Sequence, residues 1–339
     1  MTQRRPTRRS VPSNTPPRRA TRPDISVCIV NWNCRSLLQA CLRSLRAKKQ
    51  GVRLEVVVVD NGSTDGAADL VERRFPRVRL IRNADNRGFA RANNQAAQAA
   101  RGRYLFFLNN DTVVPPGTLR RLLDYAQTHP EAGLIGPRLR DPTGRAQVSY
   151  RKRPTVSALL HRTCLLRWTG LFRRAYRRYR GRGEDQITTR PAEVLMGAAL
   201  LVRRRLFFEV GGWDEGFTFG GEDIDLCTRI GRIRAIVYHP EVEVLHHGRA
   251  SSRRHAGYAY THTLVGITHY LRKSGTPLPA LWLYKAVLML DAPLQAVDHA
   301  GQYLWRRLRG QHTKAGKSLL VLRSLGHFLT HGLVALWRA

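Results

Sequence analysis

The sequence predicts an α/β fold with a Rossmann-like, mostly parallel sheet covered by helices on both faces, followed by a helical C-terminal extension. Short β-branched runs are apolar at every position, and helical patterns separate them. Strands buried on both faces have this continuous character, and their alternation with helices is typical of a parallel sheet. The 339 residues, 42% of them hydrophobic, suffice for one large domain or one domain with an appendage.

The alternation begins at Ile25 and continues to Leu108. Predicted strands lie at 25–30, 54–59, 78–81 and 104–108, and predicted helices lie around 37–45, 67–75 and 90–100. The helical segments carry apolar residues at spacings of three and four. Ligands of such sheets bind beyond the carboxyl ends of the strands, so the residues that follow each strand are candidates for a site.

Polar clusters follow three of these strands. They are Asn31 to Asn33, Asp60 to Gly66, and Asn109 to Asp111. A single such residue is commonly a helix cap, and Ser63 or Asp65 could serve only in that way. Several clusters at one sheet edge favour a functional cleft, because a buried carboxylate without a partner is costly.

Five ordered segments resemble the family 2 glycosyltransferases of the GT-A fold, nearest the bacterial rhamnosyltransferase-like branch. They span about residues 25–252 and read VVVVDNGSTDG (56–66), NRGFARAN (86–93), LFFLNNDTV (105–113), GAALLVRRRLFFEVGGWDEGF (197–217) and GEDIDLCTR (221–229). The resemblance implies a GT-A catalytic domain over residues 24–254. It also implies inverting transfer of a single sugar, with rhamnose a candidate, from a nucleoside diphosphate sugar to a lipid-linked or cell-surface glycan.

The resemblance places Asp60 on the base or ribose of the donor. A fixed carboxylate at a strand end can accept hydrogen bonds from imide or hydroxyl groups, and a cap for the following helix is the alternative. The other donor contacts that the resemblance implies are Asn31, Asn33, Ser63, Asn86, Gly88, Asn93 and Asn110.

Asn109-Asn110-Asp111 stands where the family has an Asp-x-Asp motif. The resemblance implies that Asp111 holds a divalent cation, Mn²⁺ or Mg²⁺, which neutralises charge on the donor's diphosphate. Asn109 replaces a family carboxylate, so basic side chains could supply part of that charge. His246 matches a family histidine associated with metal or pyrophosphate, and both His247 and a purely structural role are alternatives.

Three arginines follow this histidine pair and are placed to meet phosphates from a loop that closes over the donor. They are Arg249, Arg253 and Arg254.

Gly221-Glu222-Asp223 resembles the family's acidic catalytic motif. Inverting transfer needs a carboxylate that takes the proton of the acceptor hydroxyl, and the match makes Asp223 this base and Glu222 its supporting neighbour. Acids placed only to suit a helix dipole are the alternative.

Trp213 and Asp214 match an acceptor-side loop in which the indole would stack on the acceptor, with a core position as the other interpretation.

The charge predicts an anionic partner, because 58 basic and 24 acidic residues give a net +34. Nucleic acid, an anionic bilayer and phosphorylated small molecules are the candidates, beside a merely arginine-rich surface.

Residues 1–23 contain seven arginines, five prolines and no acid, which predicts a disordered basic tail. A second basic block, residues 151–182, is predicted to bind an acceptor's pyrophosphate or lipid headgroups.

Residues 255–339 are predicted to form a basic helical extension on an anionic membrane surface. The apolar stretches 278–297 and 319–337 contain charges such as Lys285 and Asp291, so neither offers the roughly 18 uncharged residues of a spanning helix. Their tryptophans and the basic run 306–309 are typical of helices lying in an interface. A helical subdomain with its own core is the alternative.

Five cysteines without metal-type spacing predict reduced thiols and a cytoplasmic enzyme, peripheral on the inner face of the cell membrane.

No zinc-finger or RNA-recognition motif accompanies the basic blocks, so no nucleic-acid partner is expected. The rivals are a UDP- or GDP-sugar transferase with a soluble acceptor and, from another class, a nucleic-acid-binding protein on a degenerate GT-A scaffold. A processive synthase is disfavoured because the chain lacks a Gln-x-x-Arg-Trp signature and convincing spanning helices.

Overall fold

The computed structural model describes residues 22–181, 187–248 and 256–339. Residues 1–21 of the predicted tail lie outside the described residues. The same holds for Arg249, Arg253 and Arg254, whose predicted role at the donor's phosphates is not addressed by the structure.

A mixed nine-stranded sheet forms the centre of the molecule, with the strand order 3-2-1-4-10-6-11-5 and β8 added on β11. Its strands are β1 (Ile25–Asn31), β2 (Leu54–Asn61), β3 (Arg79–Asn83), β4 (Tyr104–Leu108), β5 (Thr112–Val113), β6 (Ala132–Arg140), β8 (Arg190–Pro191), β10 (Ala199–Arg203) and β11 (Ala235–His246). A separate two-stranded sheet pairs β7 (Tyr150–Arg151) with β9 (Val194–Leu195).

The first four strands are parallel, as the continuous apolar runs predict. β10 is antiparallel to both β4 and β6, and this reversal makes the sheet mixed. β6 and β11 are again parallel to each other. The polar residues after β1, β2 and β4 therefore meet at one edge of the sheet.

Helices cover both faces of the sheet, which confirms the predicted fold class. The helices of the catalytic region are α1 (Arg35–Ser44), α2 (Ala47–Gln50), α3 (Ala67–Arg74), α4 (Phe89–Ala99), α5 (Thr118–Thr128), α6 (Val156–Leu160), α7 (Cys164–Arg167), α8 (Arg173–Tyr179), α9 (Arg204–Glu209) and α10 (Glu222–Ile230). One core joins α1, α3 and α5 to one face of the sheet, and a second joins α4, α9 and α10 to the other. Alternate residues of a strand enter different cores, as Phe106 and Phe107 of β4 do.

The C-terminal extension consists of long helices with a hydrophobic core of their own. They are α11 (Ala256–Lys273), α12 (Leu278–Leu308), α13 (His312–His327), a π-helical turn (Phe328–Gly332) and α14 (Leu333–Arg338). The core also takes in Leu159 and Leu160 of α6, so the extension packs on the segment inserted after β7.

Within the described residues, two helical segments reach the length and apolar character of a membrane span, 278–308 and 312–338. About a third of the most apolar part of each is buried in the protein. Two of the charges in α12 are buried and have partners: the Lys285 ammonium donates to the Trp337 carbonyl, and Asp291 accepts from the Leu165 amide and the Cys164 thiol. These charges therefore belong to the helical core, and the outer face of the helix carries few of them.

Candidate active site

A cavity of about 320 Å³ opens at the carboxyl ends of the parallel strands. Polar residues after β1, β2 and β4 line one side, and Glu222 and Asp223 at the start of α10 line another. Apolar side chains complete the wall. They are Val30, Trp32, Phe89, Met196, Phe219 and Tyr258. A cavity that is largely apolar with a few converging polar groups is typical of a small-molecule site.

A buried hydrogen-bond network supports the wall beneath the first two strand ends. Asn31 donates to Asp60 Oδ1 over 3.1 Å and to Ser63 Oγ over 3.2 Å, and its own Oδ1 accepts from Asn110 over 2.8 Å. Asp60 Oδ2 accepts from the Ser63 amide. Asp60 is 3% exposed, so the structure places its carboxylate behind the cavity wall, where it fixes Asn31 and the 60–63 turn.

Asn33 is hydrogen-bonded to the same turn and has an unusual backbone conformation. It has φ 51°, a left-handed value that asparagine tolerates better than most residues. Its amide donates to Ser63 Oγ, and its Oδ1 accepts from the Thr64 amide. Asn31, Asn33, Asp60 and Ser63 thus form one cluster, as their positions after β1 and β2 predict.

Asn61 organises the next part of the wall, a role that the sequence patterns did not indicate. Its Nδ2 donates to Asn86 Oδ1 over 2.7 Å, and its Oδ1 accepts from Asn83 and the Arg87 amide. Asn86 and Gly88 line the cavity as predicted. Asn61 directly follows Asp60 at the strand end, so its membership of the polar cluster could have identified it as a site residue.

Asp111 and His246 lie side by side in the cavity wall although 135 residues separate them. Antiparallel pairing of β5 with the end of β11 sets Thr112 opposite His246, and His246 Nε2 lies 3.3 Å from Asp111 Oδ1. His246 Nδ1 lies 2.8 Å from Gln147 Oε1. His247 is exposed and only its backbone amide reaches Asp111, so His246 is the histidine that faces the cavity.

Glu222 and Asp223 both line the cavity but have different surroundings. Asp223 accepts from the Gly197 and Ile224 amides, and its Oδ2 lies 3.6 Å from Arg151 Nη2. Glu222 Oε2 is buried and has no hydrogen-bond partner among the described residues. Burial, reinforced by the neighbouring Asp223 carboxylate, raises the pKa of Glu222 well above its ordinary value.

The predicted stacking of Trp213 on an acceptor is wrong. Trp213 is 1% exposed and packs edge-on against Phe89 and Phe107, with ring centroids 5.6 and 5.1 Å away. Asp214, its predicted companion on the acceptor side, instead forms an ion pair with Lys273 at 2.5 Å. Although burial opposes it, this ammonium holds the pKa of Asp214 below its ordinary value. The segment ties α11 to the sheet and does not face the cavity.

Asn93 also lies outside the cavity. It is 1% exposed, and its Nδ2 donates to the Phe89 carbonyl within α4. Its predicted contact with the donor is corrected to a structural role, because the side chain faces the core side of the helix.

The first turn of α11 closes the cavity, which no pattern in the sequence indicated. Tyr258 and Ala259 line it, although they lie in the predicted extension. The close approach depends on glycines: a Cβ atom on Gly266 would overlap the Gly220 carbonyl oxygen. Gly221, with φ 96°, then starts α10 at the two carboxylates.

Family models and curated relatives both indicate a glycosyltransferase. Residues 26–210 match the sequence model of Glycosyl transferase family 2, and residues 191–302 match Glycosyltransferase like family 2. The chain is 35% identical over 215 residues to the N-acetylglucosaminyl-diphospho-decaprenol L-rhamnosyltransferase of Mycobacterium tuberculosis, covering 59% of this chain and 69% of that protein. It is 29% identical to the O-antigen biosynthesis protein RfbC of Myxococcus xanthus, over 69% of this chain and 18% of that one.

Two solved structures share the fold. The mannosyltransferase PcManGT from Pyrobaculum calidifontis, solved with GDP-Man and Mn²⁺, gives a TM-score of 0.51 at 20% identity, with 90% of this chain and 88% of that chain covered. GalNAc-T7 with UDP, GalNAc and Mn²⁺ gives 0.50 at 18% identity, covering 67% and 44%. At these identities the likeness concerns the fold alone.

Proposed function

The chain belongs to glycosyltransferase family 2, in its rhamnosyltransferase-like branch, and from this premise we propose that it transfers one sugar with inversion to a lipid-linked glycan. The donor is a nucleoside diphosphate sugar. The observation that carries the proposal is that the Asp111–His246 pair and the Glu222–Asp223 pair line the same cavity.

The donor's nucleoside is proposed to bind at the ends of β1 and β2. Asn110, Asn86 and Gly88 line the cavity and supply direct contacts. Asp60, Asn31, Asn33 and Ser63 act on the same pocket by holding its shape through their shared hydrogen bonds. Removing the Asp60 carboxylate would release both Asn31 and the 60–63 turn, so donor affinity should fall.

A divalent cation is proposed at Asp111 and His246. Carboxylate oxygen and imidazole nitrogen are suitable ligands for Mn²⁺, and 3.3 Å between the two atoms lies within the reach of two bonds of about 2.1 Å. Among the described residues no group of three or more His, Cys, Asp or Glu side chains surrounds a common point. The donor's phosphates are therefore proposed to complete the coordination, and the bound cation would neutralise charge on the leaving diphosphate.

Asp223 is proposed to take the proton of the acceptor hydroxyl. The amides of Gly197 and Ile224 orient its carboxylate, and the Arg151 guanidinium lies on its Oδ2 side. Glu222 is proposed to support it as a second carboxyl in the same wall. A carboxylate fixed in an apolar cavity and shielded from bulk water is well placed for this proton transfer.

The acceptor is proposed to be a polyprenyl-diphosphate-linked glycan, with rhamnose the sugar transferred. The support is the mycobacterial relative, whose name specifies a decaprenyl diphosphate carrier and L-rhamnose. Such an acceptor lies in a bilayer, so we place the enzyme on the cytoplasmic face of the membrane with its C-terminal extension on the anionic lipid surface. The apolar helices of the extension are compatible with this location.

Calorimetric titration tests the donor assignment. We expect one of dTDP, UDP and GDP to bind tightly in the presence of Mn²⁺ or Mg²⁺, and binding to weaken at least tenfold in Asp60→Ala and Asp111→Ala. Binding of none of them by folded protein would contradict the proposal and favour a degenerate scaffold.

A further inference from the structure

The segment inserted between β7 and β9 carries a basic, apolar surface that we call the tip, residues 162–180. Trp168 is 88% exposed, Leu171 50% and Phe172 36%. Seven arginines surround them, Arg162, Arg167 and five in the run 173–180, and the tip contains no acid. Within the described part of the chain none of these arginines forms an ion pair.

The tip does not face the cavity. No residue from 152 to 181 is among the residues that line it, so these arginines are not positioned to hold an acceptor's pyrophosphate there. Arg151, the last residue of β7 before the inserted segment, does reach the site, with its guanidinium 3.6 Å from Asp223. The tip is thus connected along the chain, through β7, to a side chain that lies beside the proposed catalytic carboxylate.

The tip is fixed to the middle of α12. Asp291, 1% exposed, accepts from the Leu165 amide over 3.1 Å and from the Cys164 thiol over 2.7 Å. The outer face of α12 beside this contact is apolar, with Leu283, Leu290, Leu294 and Val297 between 46% and 73% exposed. Their spacings of seven, four and three place them on one side of the helix.

We propose that the tip inserts into an anionic phospholipid bilayer, together with the outer face of α12. Exposed aromatic and aliphatic side chains flanked by arginines match the apolar boundary and the anionic headgroups of such a surface. A nucleic acid would use the arginines, but it offers nothing to cover the apolar face of α12. Bilayer binding through the catalytic domain goes beyond the proposed function, which assigns this contact only to the extension.

Flotation with vesicles tests the proposal, using neutral phosphatidylcholine vesicles and vesicles with added phosphatidylglycerol. We expect Trp168→Ser/Leu171→Ser/Phe172→Ser to reduce vesicle partitioning at least tenfold. Arg173→Gln/Arg174→Gln/Arg177→Gln/Arg178→Gln should reduce partitioning into anionic vesicles several hundredfold, since about 1 kcal/mol per arginine is roughly fivefold each. A matched control, Phe208→Ser/Ile233→Ser, changes comparably exposed apolar residues elsewhere and should bind like the unchanged protein.

Equal partitioning of the tip variants and the control would overturn the proposal. So would binding of a labelled single-stranded RNA through the same arginines without any vesicle binding. Because Trp168 and the four arginines are exposed, thermal unfolding of the variants should stay close to that of the unchanged protein, and this measurement separates a loss of binding from misfolding.

A second inference concerns Gln147 and rests on the proposed cation site. Gln147 Nε2 lies 2.8 Å from the His246 carbonyl oxygen, which can only accept. The amide nitrogen is therefore on that side, and Oε1 faces His246 Nδ1 at 2.8 Å. Since Oε1 can only accept, Nδ1 must carry the proton.

We propose that Gln147 is a positioning residue that fixes the His246 tautomer. With Nδ1–H donating to Gln147, Nε2 is the ring nitrogen that lies on the Asp111 side, where it can ligate a cation. A hydrogen bond to the second ring nitrogen is the usual way in which proteins orient a ligating histidine.

Long-range ¹H–¹⁵N correlation spectra of the metal-free protein test this, with His246→Ala identifying the signals. We expect a protonated Nδ1 in the unchanged protein, transfer of that proton to Nε2, beside the Asp111 carboxylate, in Gln147→Leu, and recovery of the Nδ1 proton in Gln147→Glu, which keeps an acceptor. Mn²⁺ affinity in the presence of nucleoside diphosphate should fall about 10–100-fold in Gln147→Leu. Val148→Ala, an exposed neighbour, is the control.

An Nε2–H tautomer in the unchanged protein, or a Gln147→Leu spectrum identical to it, would overturn this role. An Nδ1–H tautomer in a protein that binds no Mn²⁺ would instead count against the proposed cation and leave the role of Gln147 in place.

Discussion

At the residue scale, two adjacent carboxyl groups in one helical turn have different tasks because their partners differ. Asp223 is held by two backbone amides and faces Arg151. Glu222 has a buried oxygen without a partner within the described chain, and its pKa is raised. The Asp223 carboxylate is held in one orientation and is suited to receiving a proton. Burial disfavours the charged form of Glu222, and a bound substrate that reaches its unpaired oxygen would alter this effect.

Asp223→Asn should abolish turnover while leaving donor binding within about twofold of the unchanged enzyme. The amide cannot accept the acceptor proton, whereas its size is the same and the general base contributes typically 10²–10⁴-fold to rate. Single-turnover assays paired with calorimetry measure both quantities. Normal rates in this variant would show that another group is the base.

Glu222 should make stability depend on pH. Its folded-state pKa lies above the ordinary value of 4.5 that applies on unfolding, so between these two values the folded state binds more protons. Stability therefore falls as pH rises through this range. Glu222→Gln should remove this slope, and denaturant unfolding from pH 4.5 to 8 checks it. An unchanged slope would mean that Glu222 is not desolvated in solution.

At the element scale, the cavity depends on how closely α11 approaches the turn before α10. Gly220, Gly221 and Gly266 allow backbone to meet backbone, and this brings Tyr258 over the carboxylates. Lys273, at the other end of α11, bridges Asp214 and Asp225 at 2.5 and 2.7 Å. The helix is thus fixed at both ends, and the wall of the site is built from two regions that the sequence assigned to different domains.

Gly266→Ala should displace α11 and open the cavity. The added methyl group meets the Gly220 carbonyl, and such overpacking costs about 1–3 kcal/mol. We expect a lower denaturation midpoint and a lower affinity for donor. Gly326→Ala, where an added methyl group meets nothing within 4 Å, is the matched control in another helix of the extension. Equal effects of the two changes would argue against the close approach.

At the scale of the whole molecule, the extension is an integral part of the fold. Leu159 and Leu160 of the insertion, Ile267 and Leu271 of α11, and the helices from α12 onward share one hydrophobic core. Lys285 and Asp291 of α12 are buried at this core, and apolar side chains cover part of the helix's outer face. This arrangement is consistent with the bilayer contact proposed above for the outer face of α12.

Truncation after residue 277 should yield aggregated protein, because it would expose this core on both the insertion and α11. Analytical size exclusion and circular dichroism measure the outcome. Leu290→Ser/Leu294→Ser, which changes only the outer face of α12, should remain folded and monodisperse. A soluble, active truncated chain would show that the helices from α12 onward form a separable domain.

The sequence by itself determined the fold class, the family and the edge of the sheet at which the site lies. Continuous apolar strands and amphipathic helices are local patterns, and the clusters after β1, β2 and β4 converge because parallel strands end at one edge. Asp60, Asn31 and Ser63 could therefore be grouped from sequence alone, although their position behind the cavity wall could not.

Only the tertiary structure decided which distant residues meet. His246 reaches Asp111 through β5, a strand of two residues that is too short to leave a pattern. Arg151 reaches Asp223, and Tyr258 closes the cavity, because of packing between elements far apart in the chain. Packing also decides that Trp213 lies in the core and that an apolar side of α12 is exposed. The periodicity of a sequence shows which side of a helix is apolar, but it does not show what that side contacts.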